Sequence, residues 1–212
     1  MVAYRITLPI ITQQNRWLAL IIGSCFFNVL YFSAPHLALT TPVTLSRSTA
    51  DHIIPFSPNA IWAYISHYVF VGVSIWYAPD VIRRSITFYS MLVTVLLATI
   101  VYISFPTILP RYPIEDGGMM AWVWRGLYVI DTPGNCFPSL HAALAFIGIF
   151  AFKQLSGISK IIMFAWAGAI ILATLATKQH VFWDIVGGII LAKCSLMLVS
   201  GYFTFFRIKP IN

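Results

Sequence analysis

Apolar residues gather in six runs along the chain, and each run is close to the length of a membrane-spanning helix. A helix needs about 20 predominantly apolar residues to cross the hydrocarbon core of a bilayer. The runs are Trp17–Ser33, Asn59–Tyr77, Ile86–Phe105, Pro138–Phe152, Ile161–Thr177 and Val181–Phe205. This pattern predicts an all-α fold, a polytopic membrane bundle of six transmembrane helices.

Polar residues separate the runs at two main places. The stretch "TTPVTLSRSTADHIIPFSP", residues 40–58, predicts a short surface helix before a proline-marked return into the bundle. The longest connection, residues 106–137, holds Arg111, Glu115, Asp116, Arg125 and Asp131. The opening residues are too polar for the apolar core of a signal peptide, and no clear small-residue cleavage site follows. The first run is therefore expected to be a retained span.

The composition agrees with a membrane protein. Hydrophobic residues make up 59% of the 212 residues and charged residues 9%, whereas soluble domains carry about 25% charged residues. The length suits a single integral-membrane domain over residues 1–212. Cys25, Cys136 and Cys194 show neither a disulfide framework nor paired metal-ligand spacing.

Positive charge is divided unequally between the two ends of the predicted bundle. The net charge of +7 would also suit nucleic-acid binding, but excess Lys and Arg in a membrane chain reflects topology, so we expect no nucleic-acid partner. With six spans both termini share one side, which holds Arg5, Arg16, Arg83, Arg84, Lys153, Lys160, Arg207 and Lys209. The other side holds Arg47, Arg111, Arg125 and Lys178. The positive-inside rule therefore predicts cytoplasmic termini, and we expect the protein in the cell membrane.

Two stretches place titratable residues where predicted helices begin. In "GNCFPSLHAALAF", residues 134–146, His141 lies at the start of the fourth apolar run. In "ATKQHVFWDIVGG", residues 176–188, His180 and Asp184 are four residues apart, and on a helix they would be within reach of each other. A carboxylate that accepts one ring N–H leaves the lone pair of the other nitrogen free. That arrangement makes an imidazole a nucleophile or a base.

The six-span topology brings the starts of the fourth and sixth helices to the same outer face. We therefore expect His141 and His180 to converge there, with Arg111 and Lys178 nearby. Two histidines, an orienting carboxylate and several cations are typical of a phosphoryl-transfer site that needs no metal or other cofactor. Ser139, behind Pro138, would open the fourth helix, whose free backbone N–H groups favour phosphate. The site is predicted on the extracytoplasmic side, at the depth of a lipid phosphate.

"PSLH" at residues 138–141 and "HVFWD" at residues 180–184 resemble the second and third motifs of the type 2 phosphatidic acid phosphatase superfamily. Members are six-helix membrane enzymes that act on lipid phosphates and diphosphates, and the similarity covers residues 105–188. The resemblance implies that His180 forms a phosphohistidine, that Asp184 orients His180, and that His141 protonates the leaving oxygen. By the same resemblance, Ser139 and Arg111 bind phosphate.

The chain departs from the usual motifs of this family at several positions. The first motif normally has a lysine seven residues before its arginine and a proline directly after it, and the third motif has Ser-Arg ahead of its histidine. The corresponding residues here are Ser104, Tyr112, Ala173 and Thr174, and Leu140 replaces the glycine before His141. Lys178 and Arg125 are the candidates to replace the missing phosphate-binding cations.

Three other stretches bear on the reaction type. "FPTILPR", "NCFPSLH" and "DHIIPFSP" resemble the branch that contains inositol phosphotransferases, which build inositol phosphorylceramide. Transfer of a phosphoryl headgroup to an alcohol is therefore an alternative to hydrolysis. We favour hydrolysis because the chemistry needs only water. The expected partners are a lipid phosphate substrate and membrane lipid, and the sequence predicts no particular oligomeric state.

Two further interpretations remain open from the sequence. His141, His180 and Asp184 could form a two-histidine, one-carboxylate metal site, although the chain has only six acidic residues. A non-catalytic transporter could use the same polar residues to line a path, although the paired interrupted helices typical of transporters are not evident. His36, His52 and His67 lack such partners in the sequence and are predicted to be structural or interfacial.

Overall fold

The computed structural model describes residues 8–114, 117–131 and 133–205, and this part of the chain is mostly helical. The α-helices are α1 (Arg16–Ser33), α2 (Thr49–Ile53), α3 (Ile61–Ile65), α4 (His67–Trp76), α5 (Val81–Ser104), α6 (Gly118–Ile130), α7 (Leu140–Phe152), α8 (Gly157–Ala176) and α9 (Phe182–Phe205). Short 3₁₀ turns lie at Ala34–Leu37 and Pro58–Ala60. Strands β1 (Val43–Thr44) and β2 (Thr107–Ile108) form one parallel pair.

Four helical stretches are long and apolar enough to cross a membrane, by length and composition, among the residues described. They are Arg16–Leu37, Val81–Ser104, Gly157–Ala176 and Phe182–Phe205. The 24 residues of α5 extend about 36 Å, which exceeds a hydrocarbon core of about 30 Å. A mostly helical fold with apolar helices of membrane-spanning length is confirmed, whereas the predictions of six spans and cytoplasmic termini stay predictions.

The two other predicted spans form shorter helices. The run over residues 59–77 is divided at Ser66 into α3 and α4. The hydroxyl of Ser66 donates to the Ala63 carbonyl at 2.7 Å and accepts the indole N–H of Trp166 at 2.8 Å. Because of this break, α3 packs against α8 while α4 packs against α7. The fourth run gives α7, whose 13 residues extend about 20 Å.

Helix α7 lies in the centre of the bundle, packed against α4, α5, α8 and α9. Its side facing these helices is lined by small residues, and Ala142, Ala143 and Ala145 are fully buried. On α9, a Cβ added at Gly188 would lie 2.3 Å from the carbonyl oxygen of Ser139. Small residues let membrane helices approach closely, so Gly188 brings the second turn of α9 against the start of α7.

The polar connections contain more structure than the bundle alone requires. The surface helix predicted in residues 40–58 is α2. At its start, the backbone N–H and the hydroxyl of Ser48 both donate to the Asp51 carboxylate, at 2.7 Å each. The predicted connection over residues 106–137 contains a helix, α6, that the apolar runs do not predict. Its Trp124 is fully buried and donates to the Pro58 carbonyl at 3.2 Å, whereas Trp122 and Val129 are exposed. Glu115 and Asp116 lie outside the described residues.

Candidate active site

The start of α7 is held in place by its neighbours on α5 and α9. Ser139 is the N-cap of α7, and its hydroxyl oxygen accepts the backbone N–H of Ala142 at 3.3 Å. The backbone N–H of Ser139 donates to the carbonyl of Asp184 at 2.9 Å. The hydroxyl of Tyr102 donates to the Pro138 carbonyl at 2.7 Å. These contacts fix the position of His141 relative to the first turn of α9.

The turn between α8 and α9 positions His180. The backbone N–H groups of Gln179 and His180 both donate to the Thr174 carbonyl, at 3.2 Å each. Lys178 has a φ of 56°, in the left-handed region, which turns the chain sharply just before the histidine. His180 lies in this turn, two residues before α9 begins, and is only 7% exposed.

The predicted contact between His180 and Asp184 is present. Nδ1 of His180 lies 3.3 Å from Oδ2 of Asp184 and 3.0 Å from the Cys136 carbonyl oxygen. The same carboxylate oxygen accepts the backbone N–H of Val181 at 3.0 Å. Because two oxygen acceptors face Nδ1, that nitrogen carries the ring proton and Nε2 keeps its lone pair. Nε2 is thus the atom of His180 that is suited to attack a phosphorus atom.

Cys136 contributes its backbone to this arrangement. Burial, and next the carboxylate of Asp184, raise the pKa of the Cys136 thiol to about 12. A thiol with so high a pKa is a poor nucleophile. Cys136 acts on the site through its backbone carbonyl oxygen, which contacts Nδ1 of His180.

His141 and His180 converge, as the topology predicts. His141 is the second residue of α7, and its ring centroid lies 5.8 Å from that of His180. Tyr64 of α3 stacks on the His141 ring at 4.2 Å. Nε2 of His141 is buried and has no hydrogen-bond partner among the described residues. His141 thus brings an imidazole whose Nε2 has no partner among the described residues next to the His180 ring.

A third histidine, His67, lies beside His141 and His180, although its position in the sequence predicts a structural or interfacial role. His67, the first residue of α4, is 5% exposed, and its ring centroid lies 4.6 Å from that of His141. The sequence contains one signal for it, because a histidine inside a predicted span is functional by default in a membrane protein. The exposed His36 and His52 carry no such signal.

The three histidines line a cavity of about 570 Å³. Residues of α1, α3, α4 and α6 form its other walls: Phe27, Asn28, Tyr31, Phe32, Trp62, Ile65, Tyr68, Trp122, Val123, Gly126, Leu127 and Ile130. One polar wall contains Asp131, whose carboxylate accepts the hydroxyls of Tyr31 at 2.6 Å and Tyr64 at 2.7 Å. The cavity is therefore largely apolar, with its polar groups at the histidines and at Asp131.

A second cavity of about 310 Å³ adjoins the first and runs along α1, α4 and α5. The two cavities share Phe27, Asn28, His67 and Tyr68. Further along, the second cavity is lined mainly by apolar side chains and by Gly72, where an added Cβ would meet nothing within 4 Å. An apolar groove thus leads from the histidines into the helical bundle.

None of the four predicted phosphate ligands is among the described residues that line the cavity. Arg111 donates to the Asp131 carbonyl and lies over the Tyr128 ring at 4.9 Å. Ser139 is buried at the start of α7, and Arg125 is exposed on α6. Their role in phosphate binding stays a prediction.

Lys178, the fourth predicted phosphate ligand, is bound to the segment around α2. Its ammonium group donates to the carbonyl oxygens of Asp51, at 2.7 Å, and of Ile54. Burial and the nearby Arg47 lower the pKa of Lys178, while Asp51 opposes this shift. The Lys178 side chain therefore fastens α2 to the turn between α8 and α9.

Within the described residues, no three His, Cys, Asp or Glu side chains come together as a metal-binding group.

Comparison with known proteins identifies a family for this chain. The model of the PAP2 superfamily, the type 2 phosphatidic acid phosphatase superfamily, matches residues 36–198, well over half of the chain. The matched segment includes His67, His141, His180 and Asp184. No curated protein matches the chain. The resemblance inferred from the two motifs is therefore confirmed.

Proposed function

The chain belongs to the PAP2 superfamily of membrane phosphatases and phosphotransferases, and on that premise we propose that it removes phosphate from a lipid phosphate or diphosphate. The observation that carries the proposal is the orientation of His180. Its Nδ1 faces the Asp184 carboxylate and the Cys136 carbonyl, while its ring lines the cavity shared with His141. This is the arrangement that a histidine nucleophile requires.

The proposed reaction has two steps. Nε2 of His180 attacks the phosphorus atom, and the bond from phosphorus to the lipid oxygen breaks as His141 donates a proton to that oxygen. Asp184 stabilises the positive charge that develops on the His180 ring. In the second step a water gives a proton to His141 and attacks the phosphohistidine, which releases inorganic phosphate and restores both histidines.

Phosphate binding is assigned to groups around the start of α7. Ser139 would supply the helix N-terminus, whose backbone N–H groups favour an anion. Arg111 is a candidate cation because it donates to the carbonyl of Asp131, a residue that lines the cavity. Arg125 and Lys178 belong to the proposal as the residues that would replace the missing motif cations. Lys178 would have to exchange its carbonyl partners for phosphate oxygens.

The proposed substrate is a lipid because the cavity opens into apolar volume. A phosphate held between His141 and His180 would place its hydrocarbon chain in the groove that begins at Phe27 and Tyr68. The exposed apolar residues of α1 and α6 around the cavity suit contact with acyl chains. No cofactor is part of the proposal.

The experiment for the reaction measures phosphate release by the purified protein from a panel of lipid phosphates and diphosphates, with and without EDTA. Release of inorganic phosphate that persists in EDTA is the expected result. Loss of activity in EDTA and its recovery with added metal would instead favour the metal-site interpretation. No release from any lipid on the panel would contradict hydrolysis.

Transfer to an alcohol is the second candidate, and the Asp131 wall favours it. A carboxylate repels phosphate but accepts hydroxyl groups, as Asp131 does from Tyr31 and Tyr64. The test adds ceramide, diacylglycerol or free inositol to a phosphoinositide labelled in its headgroup. A labelled lipid product that forms only with an added alcohol would replace hydrolysis by transfer. Free phosphate without an acceptor supports hydrolysis.

The proposed site faces outward, in a protein of the cell membrane with cytoplasmic termini. The support is that basic residues collect at the bundle end away from the histidines: Arg16 donates to the Trp76 carbonyl, and Arg83 to that of Phe150. A cysteine at the exposed His52 is expected to react with an impermeant thiol reagent from outside, and one at the exposed Lys153 is not. Cys25 and Cys194 would be serine in both proteins. The reverse labelling pattern would put the site in the cytoplasm.

A further inference from the structure

Three imidazoles share the catalytic cavity, but the proposed reaction uses two of them. His67 is more than nine-tenths buried, lines the cavity with His141 and His180, and lies against the His141 ring. Nδ1 of His67 is buried and has no hydrogen-bond partner among the described residues. A buried polar atom without a partner costs free energy. Because the His67 imidazole lines the cavity, an unpartnered nitrogen on this ring points to a ligand that completes its hydrogen bonding.

The described residues around this cavity do not include the cations that the family uses to bind phosphate. Among the described residues that line the cavity, none is Lys or Arg. Ser104 stands where the family has a lysine, and its hydroxyl donates to the Ile100 carbonyl of its own helix. Thr174 stands where the family has an arginine, and its hydroxyl donates to the Ile171 carbonyl. Neither side chain supplies a donor to the cavity.

Phosphoryl transfer requires such donors. The transferring group spreads negative charge over its three equatorial oxygens, and enzymes stabilise that charge with positioned N–H groups and cations. His180 supplies the nucleophile, and His141 serves the leaving oxygen. Neither ring is free to hold an equatorial oxygen throughout the reaction.

We propose that His67 is a third catalytic histidine, whose ring N–H donates a hydrogen bond to an equatorial oxygen of the transferring phosphoryl group. This inference rests on the proposed phosphoryl-transfer function. His67 keeps its proton during turnover. The bond from Nε2 of His180 to phosphorus forms while the bond to the lipid oxygen breaks, and His141 carries the only proton that moves. The hydrogen bond from His67 thus supplies part of the stabilisation that the missing motif cations provide elsewhere in the family.

A purely structural role for His67 makes a different prediction. If the ring only packs against His141 and Tyr68, its nitrogens are irrelevant, and a phenylalanine of similar shape would serve as well. His67→Phe and His67→Asn separate the two roles. Phenylalanine keeps the ring and removes the nitrogens, whereas the amide nitrogen of asparagine takes the place of Nδ1. His36→Phe, at an exposed histidine outside the cavity, is the matched control.

The measurement is inhibition by orthovanadate, a phosphate analogue, together with kcat/KM for a lipid phosphate and for an aryl phosphate. His67→Phe is expected to weaken vanadate inhibition roughly 10- to 100-fold, the loss expected for one hydrogen bond to a charged oxygen. It is expected to lower kcat/KM by the same factor on both substrates, because an equatorial oxygen is common to them. His67→Asn should stay within about threefold of the wild type, since one donor is kept.

Several outcomes would overturn the inference. One is a folded His67→Phe protein, with an unchanged melting temperature, that binds vanadate as the wild type does. Another is an equal loss in His67→Phe and His67→Asn. A loss on the lipid phosphate alone would assign His67 to the leaving group instead. A wild-type protein that neither binds vanadate nor releases phosphate would overturn the proposed function together with this inference.

Discussion

The two walls of the cavity differ in how closely their helices approach their neighbours. The catalytic wall, which we define as the start of α7, the turn at His180 and the first two turns of α9 behind them, has contacts that leave no room for a Cβ. A Cβ at Gly187 would lie 2.6 Å from the Phe137 ring, and one at Gly188 would lie 2.3 Å from the Ser139 carbonyl oxygen. The open wall, α1 and α6, is peripheral. In α1 only Ala19 is buried, and α6 exposes Trp122 and Val129.

This difference matches two requirements of a lipid enzyme. Reacting atoms must be held within a fraction of an ångström, because small misplacements cost large factors in rate. Backbone contacts in the catalytic wall, such as that from Ser139 to the Asp184 carbonyl, provide that precision. A lipid must also enter from the bilayer, which requires apolar volume beside helices that lack many partners. The cavities of about 570 and 310 Å³ are bordered by the open wall.

The largest expected effect comes from the catalytic wall itself. His180→Ala is expected to abolish turnover, because it removes the attacking nitrogen. Asp184→Asn is expected to lower kcat by about 10⁴-fold with the fold intact, by analogy with the loss of an orienting carboxylate in a catalytic triad. Acid quenching of the wild type should trap a phosphoryl group on His180, as detected by mass spectrometry. Near-normal turnover by His180→Ala would remove it as the nucleophile.

A smaller effect is expected at His141, on the same wall. General acid catalysis supplies about 10²–10⁴-fold, so His141→Ala should lose roughly that factor on a lipid phosphate, whose alcohol is a poor leaving group. An aryl phosphate, whose leaving oxygen needs little protonation, should suffer much less. The comparison of kcat/KM on the two substrates is the measurement. Equal losses would argue against proton donation.

The catalytic wall is also the part of the site that sequence reasoning reaches. His180 and Asp184 can be paired because a spacing of four residues places both on one side of a helical turn. His141 can be brought to them because apolar runs of known length alternate across a membrane. These inferences use local periodicity and topology, which the linear sequence contains.

The open wall and its surroundings depend on tertiary contacts that the sequence does not display. The second apolar run divides at Ser66, whose hydroxyl accepts the indole N–H of Trp166, 100 residues away, and the next residue, His67, lies against His141. Helix α6 is not marked by one long apolar run, because Arg125 and Gly126 interrupt its apolar residues, which are divided between a buried side and an exposed side. Lys178 counts as a site cation by its position in sequence, but the carbonyls that bind it lie near residue 51.

A backbone substitution tests whether the close contact of the catalytic wall is required. Gly188→Ala would place its Cβ 2.3 Å from the Ser139 carbonyl oxygen, a backbone atom that can move only with the start of α7. Overpacking of this kind costs about 1–3 kcal/mol, and the displacement of Ser139 should lower kcat as well. Gly201→Ala on the same helix, where a Cβ meets nothing within 4 Å, is the matched control. Thermal unfolding and phosphate release are measured for both, and equal behaviour would show that the contact is dispensable.

The smallest effect is expected where the groove leaves the cavity beside the open wall. Gly72→Leu adds a side chain in open space that lines the groove, so it should shorten the hydrocarbon chain that fits there. The displaced methylenes would still lie in lipid, which is as apolar as the groove. Most of the roughly 0.8 kcal/mol per buried CH₂ group is therefore retained, and we expect kcat/KM on a long-chain lipid phosphate to fall only about two- to fivefold. Activity on a short-chain substrate should stay unchanged.

Gly168→Leu on α8, also in open space and outside the residues that line the groove, controls for an added leucine in a membrane helix. If both variants lose activity equally, or if the loss does not depend on chain length, the groove does not hold the substrate's chain.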